Sequence, residues 1–222
     1  MATLPGTVIA ATAGAQGFDC DTVVTATVAQ ELAAQGYGFA IRYVSRATPQ
    51  DAGDLTAQEA QTILDAGLAL MVVQHCPPAY WTASAALGTQ NGNAAVTNAA
   101  AIGYPVGATI WVDLENMRPG TPASAIFAYA NAWSRAVRAA QYQDGLYYSA
   151  DCPLSPEQLY LDLITARYWR ALSADSPFVA VRGACMQQYL QSGQTAGIDI
   201  DRDVITPDAF GGVPVWLAPA GS

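Results

Sequence analysis

About eight short apolar runs alternate with segments of helical spacing, and that rhythm limits the folds open to this chain. The runs cover residues 17–21, 39–44, 68–76, 109–115, 146–149, 167–172, 184–190 and 197–205. Between the first two, Val24, Val28 and Leu32 recur at helical spacing and Gly36 closes the turn. Thr56 with Glu59, and Ser155 with Gln158, have the spacing of capping boxes. Thr121-Pro122 opens a helix whose inner face is Ile126, Ala130, Trp133 and Val137. An Ala-rich helix is expected over residues 94–102, preceded by a long loop over 77–93. Residues 174–182 are irregular, so the sixth helix is reduced or absent. Apolar strands alternating with helices predict an α/β fold with a parallel sheet covered by helices. Eight such units favour a TIM-type (β/α) barrel in compact form. A doubly wound open sheet is the alternative. One domain is expected over residues 1–222, with a barrel core at about 17–205 and a Pro/Gly-rich tail, 206–222, wrapping the outside. Residues 8–12 offer an extra strand.

The run Thr109–Glu115 ends in acid. Alternation across a strand puts Trp111, Asp113 and Glu115 on one face and Ile110, Val112 and Leu114 on the other. Acidic residues are poor strand formers, so their position calls for a reason. Apolar surroundings raise carboxyl pKa values, and two neighbouring carboxylates push each other apart. One site can then hold an acid and a base at the same pH. In a parallel barrel all carboxyl ends of strands meet on one face. That face would collect Asp19 and Asp21 from the first strand, Asp113 and Glu115 from the fourth, and Asp199, Asp201 and Asp203 from the eighth. Tyr43, Gln74, Tyr148, Trp169, Gln187, Gln188 and Tyr189 fall at other strand ends. Aromatic faces stack on sugar rings and amides match hydroxyls. Glycoside hydrolysis needs this equipment and no cofactor: one carboxylic acid to protonate the leaving oxygen and one carboxylate to stabilise a cation or activate water.

Other chemistries fit less well. A formal net charge of −9, with nine Arg and no Lys, argues against nucleic acid and anionic membranes as partners. No apolar run approaches the roughly 18 residues of a membrane span. Residues 1–16 lack the basic start of a secretory signal. Cys20, Cys76, Cys152 and Cys185 lack zinc-site spacing, and both disulfides and free thiols remain open for them. The single histidine, His75, reads as a polar strand-end residue, and no G-x-S-x-G accompanies it. Asp199-x-Asp201-x-Asp203 has no glycine at position 6 and no glutamate at position 12 of a calcium loop, so no metal is expected. Asp201 and Asp203 have a bland reading as partners of Arg202 or Arg182, or as solvated acids. Arg42 reads equally as a site residue or a buried ion-pair partner.

Taken in order, Gly17-Phe-Asp-Cys, Phe39-Ala-Ile-Arg-Tyr-Val, Gly103-Tyr-Pro-Val-Gly, Ile110-Trp-Val-Asp-Leu-Glu, Gly145-Leu-Tyr-Tyr-Ser, Gln187-Gln-Tyr and Gly197-Ile-Asp-Ile-Asp form a pattern. It resembles the bacterial glycoside-hydrolase-like domain of unknown function, related to the glycoside hydrolase family 25 lysozymes. That resemblance implies an (α/β) barrel and activity on the β-1,4 bond between N-acetylmuramic acid and N-acetylglucosamine. It implies Glu115 as proton donor and Asp113 as its carboxylate partner. Asp19 and Asp199 match the acids of the opening and closing motifs, and Tyr148 and Gln188 match substrate-lining positions. It also implies an extracellular or cell-envelope location. Cys20, Asp21, Tyr43 and Val44 depart from the lysozyme pattern, as does glutamine in place of a seventh-strand tryptophan.

The expected catalytic set is therefore Glu115, Asp113, Asp19 and Asp199. Tyr43, Gln74, Tyr148, Trp169, Gln188 and Asp201 are expected to bind a peptidoglycan-like carbohydrate polymer. The expected function is hydrolysis or binding of that polymer. The alternative is a non-catalytic glycan-binding, wall- or virion-associated barrel with a vestigial site.

Overall fold

Strands with period-2 alternation have two usable faces, one for a barrel interior and one for a helical jacket. The computed structural model, which describes residues 3–173 and 175–221, uses both. In chain order its elements are β1 (Thr7–Ala10), β2 (Gln16–Cys20), α1 (Ala26–Ala34), β3 (Phe39–Val44), α2 (Ala57–Asp65), β4 (Ala69–Gln74), α3 (Ala85–Ala101) and β5 (Thr109–Asp113). There follow α4 (Ala123–Ala139), β6 (Gln143–Tyr148), α5 (Pro156–Leu161), β7 (Tyr168–Leu172), β8 (Met186–Thr195), β9 (Ile198–Ile205) and β10 (Val215–Ala218). Strands β2 to β9 close into an eight-stranded barrel, because β4 pairs with β5 and β9 pairs with β2. The fold is a TIM-like α/β barrel. The stretch after β7 forms no helix among the described residues.

One strand departs from the expected all-parallel order. β9 runs antiparallel to both β8 and β2. Only Ala196 and Gly197 separate β8 from β9, both with positive φ (54° and 80°). A parallel return needs a crossover of a dozen or more residues, so two residues permit only a hairpin. The reversal means that β9 begins, rather than ends, at the face where β2 to β8 finish.

The expected loop over 77–93 is also corrected, since α3 starts at Ala85. Gly88 and Gly92 look like helix breakers, but here they are the points where α3 meets α4. A Cβ on Gly88 would lie 2.2 Å from the Tyr129 carbonyl oxygen, and one on Gly92 would lie 2.9 Å from that of Trp133. The close approach of two helices outweighs the low helix propensity of glycine.

Inside the barrel, Phe39, Ile41, Met71, Val73, Trp111, Trp169, Met186 and Ile205 pack together. Trp216 from β10 joins this interior cluster and lies 5.7 Å from the Phe39 ring, so that part of the tail closes the barrel floor instead of wrapping the outside. β10 itself pairs with β1 and β4. Trp111 is fully buried opposite Gly145, its register partner on β6. A Cβ at Gly145 would fall 2.3 Å from the Trp111 ring. Trp111 has nowhere to retreat in a filled interior, so Gly145→Ala should destabilise the fold by about 2–3 kcal/mol, read as a lower midpoint in urea unfolding.

Candidate active site

The same alternation that fills the barrel floor fixes which side chains reach its mouth. On β2 and β3 the inward positions include Asp19 and Tyr43. On β5 and β6 Asp113 follows Trp111, and Tyr147 follows Gly145. Trp169, Gln188 and Asp203 face inward from β7, β8 and β9. Hydrogen bonds join these positions around the ring. Gln188 Nε2 donates to Asp19 Oδ2 at 2.8 Å, and the Tyr43 hydroxyl donates to Asp19 Oδ1 at 3.2 Å. The Tyr147 hydroxyl donates to Gln188 Oε1 at 2.7 Å. Trp169 Nε1 donates to Asp203 Oδ1 at 2.8 Å. Glu115 stands just beyond the end of β5 and is half-buried. Its backbone carbonyl accepts from Trp81 Nε1 at 2.8 Å, which pins the loop after β5 to the one after β4.

Burial and mutual repulsion set the charges here. Burial pushes the Asp19 carboxyl up to about 7, with Asp201 adding to the rise while Gln188, Asp203 and Tyr43 oppose it. Asp203 is fully buried and is raised well above the usual carboxylate range, first by burial and then by the charge of Asp19. Its Oδ2 has no hydrogen-bond partner among the described residues, so nothing on that side stabilises the charged form. Burial also raises Asp113 well above its ordinary value, reinforced by Glu115, Asp19 and Asp151. Asp113 Oδ1 likewise has no partner. Glu115 is raised by burial, and Ser149 holds it back through a hydrogen bond. The mouth thus gathers several carboxyls that burial and mutual repulsion push above the usual carboxylate range, the setting in which acid/base roles are tuned.

The structure sorts the sequence expectations. It brings Asp19, Tyr43, Asp113, Glu115, Gln188 and Asp201 to one mouth, with Asp201 opposite Asp19 in the ladder. Trp169 lies deeper, as the hydrogen-bond donor to Asp203. Gln74 is not at the mouth. It faces the helical jacket, donating to the carbonyls of Ser45 and Asn91 and accepting from Trp133 Nε1. Tyr148 also points outward, against Tyr168, and Tyr147 takes the inward place. Both errors are of one kind, because a one-residue shift in parity moves a side chain across the sheet. Asp199 is exposed on the β8–β9 hairpin, above the mouth, where it lines a cleft of about 300 Å³ with Asp21, Tyr43 and Asp201. Asp201 is the ladder partner of Asp19, and Asp203 lies one inward position deeper, opposite Gly17. The bland reading of Asp203 fails, since it is fully buried and, among the described residues, forms no ion pair with Arg202 or with Arg182, which pairs with Asp208 at 2.7 Å. Two signals could have found the missed residues. Gly145 must face Trp111, which sends Tyr147 inward, and the two-residue turn reverses β9, which sends Asp203 deeper than Asp199.

Arg42 resolves to a buried ion pair, 2.6 Å from Glu59 on the outer side of the barrel wall. All four cysteines are free thiols. Among the described residues, one group has donor atoms close enough together to hold a metal ion: Asp21, Asp54 and His75, within 4.8 Å of one another. His75 Nε2 already contacts Asp54 at 2.7 Å, and its ring stacks on Tyr43.

A carboxyl whose folded-state pKa is raised binds its proton more tightly in the native than in the unfolded chain. Stability is then lost as pH rises through the window between the two values, here from 3.8 to about 7 for Asp19. Asp19→Asn removes the ionisation. Its melting temperature should exceed that of the unsubstituted protein at pH 8 and approach it at pH 4. Equal differences at both pH values in a thermal melt would contradict the buried-acid assignment.

Solved structures share this architecture at low identity. The Tat-secreted protein Rv2525c of Mycobacterium tuberculosis, in complex with L-tartrate, superposes with a TM-score of 0.66 at 21% identity, covering 90% of this chain and 98% of that one. A bacterial lysozyme from Streptomyces coelicolor gives 0.62 at 15% identity, covering 90% and 95%. A family 25 glycosyl hydrolase from Bacillus anthracis gives 0.58 at 13%, covering 86% and 88%. No curated protein sequence matches. The family model for the Rv2525c-like, glycoside hydrolase-like domain matches residues 30–205. β2, with Asp19, precedes that stretch and takes its place through barrel closure. The chain belongs to the Rv2525c-like glycoside hydrolase-like domain family.

Proposed function

We propose that this protein is a glycosidase that cleaves peptidoglycan or another amino-sugar polymer. The observation that carries this reading is that, among the described residues, no ion pair reaches Asp19, Asp113 or Asp203. Asp19, Asp113 and Asp203 are buried together. Among the described residues, the arginine ion pairs, Arg42–Glu59, Arg138–Asp144 and Arg182–Asp208, lie away from the cluster. Burying like charges without counter-ions costs stability, and a purely structural role would be served better by paired or apolar side chains. Sites that do acid/base work keep such groups.

Glu115 is the general acid in this reading. It is the more accessible member of the Asp113–Glu115 pair, and its raised pKa keeps it protonated above the usual glutamate range. It gives its proton to the glycosidic oxygen as the bond to the anomeric carbon breaks. Burial disfavours charge on Asp113, and the cation developing beside it is what favours the ionised carboxyl there. The acetamido oxygen of the substrate is a second candidate to trap that centre, one of the known exceptions to the two-carboxylate scheme; water then attacks the anomeric carbon, releasing the trapping group and giving a proton back to Glu115. Asp19, fixed by Gln188 and Tyr43, helps set the negative potential of the mouth. Tyr43 and Tyr147 supply hydroxyls and ring faces for sugar.

A second reading, a non-catalytic glycan-binding barrel, draws support from Asp19, because both of its oxygens are already engaged by Tyr43 and Gln188. The two readings part at Glu115. Glu115→Gln should lower turnover of purified peptidoglycan by about 10²–10⁴-fold while leaving the melting temperature and glycan binding close to those of the parent. The alkaline limb of kcat/KM for the parent should lie above the ordinary glutamate value of 4.5. Undiminished cleavage by Glu115→Gln would remove the assignment. Glycan binding with no product release by the parent would favour the binding module.

A further inference from the structure

Three neighbouring strand ends bring side chains of metal-ligand type to one point on the barrel rim. Asp21 follows β2, Asp54 lies on the loop between β3 and α2, and His75 follows β4. Their positions share no motif spacing, and only the pairing of β2, β3 and β4 brings them together. One donor atom from each lies within 4.8 Å of the other two. His75 Nε2 stands 2.7 Å from Asp54 Oδ1 and 3.7 Å from Asp21 Oδ1. Two donors on one zinc ion, with bonds of about 2.0–2.1 Å at tetrahedral angles, sit about 3.3 Å apart. The two separations from the ring nitrogen bracket that figure, and Asp21 is exposed and can adjust.

The surroundings hold these groups in place. The His75 ring stacks on Tyr43, with ring centroids 4.5 Å apart. Asp54 is buried, and the Ser45 hydroxyl donates to its Oδ2, which leaves Oδ1 turned to the ring. Buried Arg42 ties the two carboxylate-bearing loops together. Its Nη1 donates to the carbonyl of Cys20 and its Nη2 to that of Gly53 at 2.9 Å, the residues just before Asp21 and Asp54. Partners that orient a ligand set in this way are what a metal site requires behind its ligands.

Hydrogen bonding satisfies only part of the trio. Nε2 carries at most one hydrogen, and Asp54 is the oxygen within reach of it. Asp21 makes no hydrogen bond among the described residues, so its carboxylate faces a committed nitrogen and a second carboxylate. Arg46 and Asp51, which line a cavity with His75, are opposite in sign, so the two carboxylates of the trio set the local charge. A cation held between the three donors satisfies all of them at once.

We propose that Asp21, Asp54 and His75 bind a divalent cation of the zinc type at the barrel rim. One imidazole with two carboxylates suits zinc better than magnesium or calcium, which favour oxygen ligands throughout. Three protein ligands leave a fourth position for water. The ion joins the ends of β2, β3 and β4. It also fixes the ring on which Tyr43 stacks, and the Tyr43 hydroxyl donates to Asp19. The site stands independently of the glycosidase reading.

The test is calorimetric titration of zinc chloride into the full chain after chelator treatment and dialysis. One zinc should bind per chain and raise the melting temperature. Asp21→Asn should weaken binding by about tenfold or more while leaving the melting temperature of the zinc-free protein unchanged, because Asp21 is exposed. His75→Gln should abolish binding, whereas Cys76→Ser and Glu115→Gln should bind zinc like the parent. No binding by the parent overturns the proposal and leaves a protonated histidine shared by two aspartates. Parent-like binding by both Asp21→Asn and His75→Gln overturns it too. Loss of binding in Cys76→Ser or Glu115→Gln places the ion on the thiol or on the mouth acids instead. Calcium chloride binding as tightly as zinc removes the nitrogen-ligand assignment.

Discussion

Closure of eight short strands into a ring is the constraint on which everything else here depends. Once β4 meets β5 and β9 meets β2, each strand has one face turned to a confined interior and one to the helices. The interior is too small for two large side chains at one level. Trp111 therefore demands glycine at position 145, and Phe39 demands it at position 17, where a Cβ would lie 2.3 Å from the ring. With these levels set, the next inward position on each strand lies at the mouth. Asp113 follows Trp111, Tyr147 follows Gly145, Asp19 follows Gly17, and Tyr43 follows Ile41. The floor and the site are successive layers of one pattern.

The layers differ in their electrostatics. Cations are placed on the outer side, where Arg42, Arg138 and Arg182 neutralise Glu59, Asp144 and Asp208. The mouth receives hydrogen-bond donors without charge: Tyr43, Tyr147, Gln188 and Trp169. Neutral donors hold carboxyls in place without pulling their pKa values down as an arginine would. The cluster stays proton-rich and rigid together. A guanidinium in place of Gln188 would favour Asp19 as an anion and leave the Tyr147 hydroxyl without its acceptor.

Much of this was legible in the sequence. The strand count and the acid at the end of β5 follow from local periodicity, and the arrangement of Asp113 and Glu115 next to Asp19 follows from barrel topology. What failed has physical causes of two sorts. Polar and aromatic residues at strand ends suggest a lining, which puts Gln74 and Tyr148 inside. Their parity, set by packing against α3, α4 and Tyr168, turns them outward. The expected loop over 77–93 takes in Gly88 and Gly92, because the neighbouring helix that makes their small size an asset is not visible in the local sequence. The matched family stretch, which starts at residue 30, would not have placed β2 either.

The reversed strand carries the largest consequence. Had β9 been parallel, its last residues, Val204 and Ile205, would have reached the mouth and Asp203 would have sat just beneath them. Run the other way, β9 enters at the mouth and places its three alternate acids at three depths. Asp199 is exposed on the hairpin, Asp201 is opposite Asp19, and Asp203 is fully buried under both. A single acidic ladder therefore spans the gradient from water to barrel interior. Burial is greatest at its deepest rung, where it raises the Asp203 carboxyl well above the usual range and Trp169 fixes one oxygen. The two-residue turn at Ala196–Gly197 is what converts three equivalent aspartates in the sequence into three chemically distinct groups in the fold.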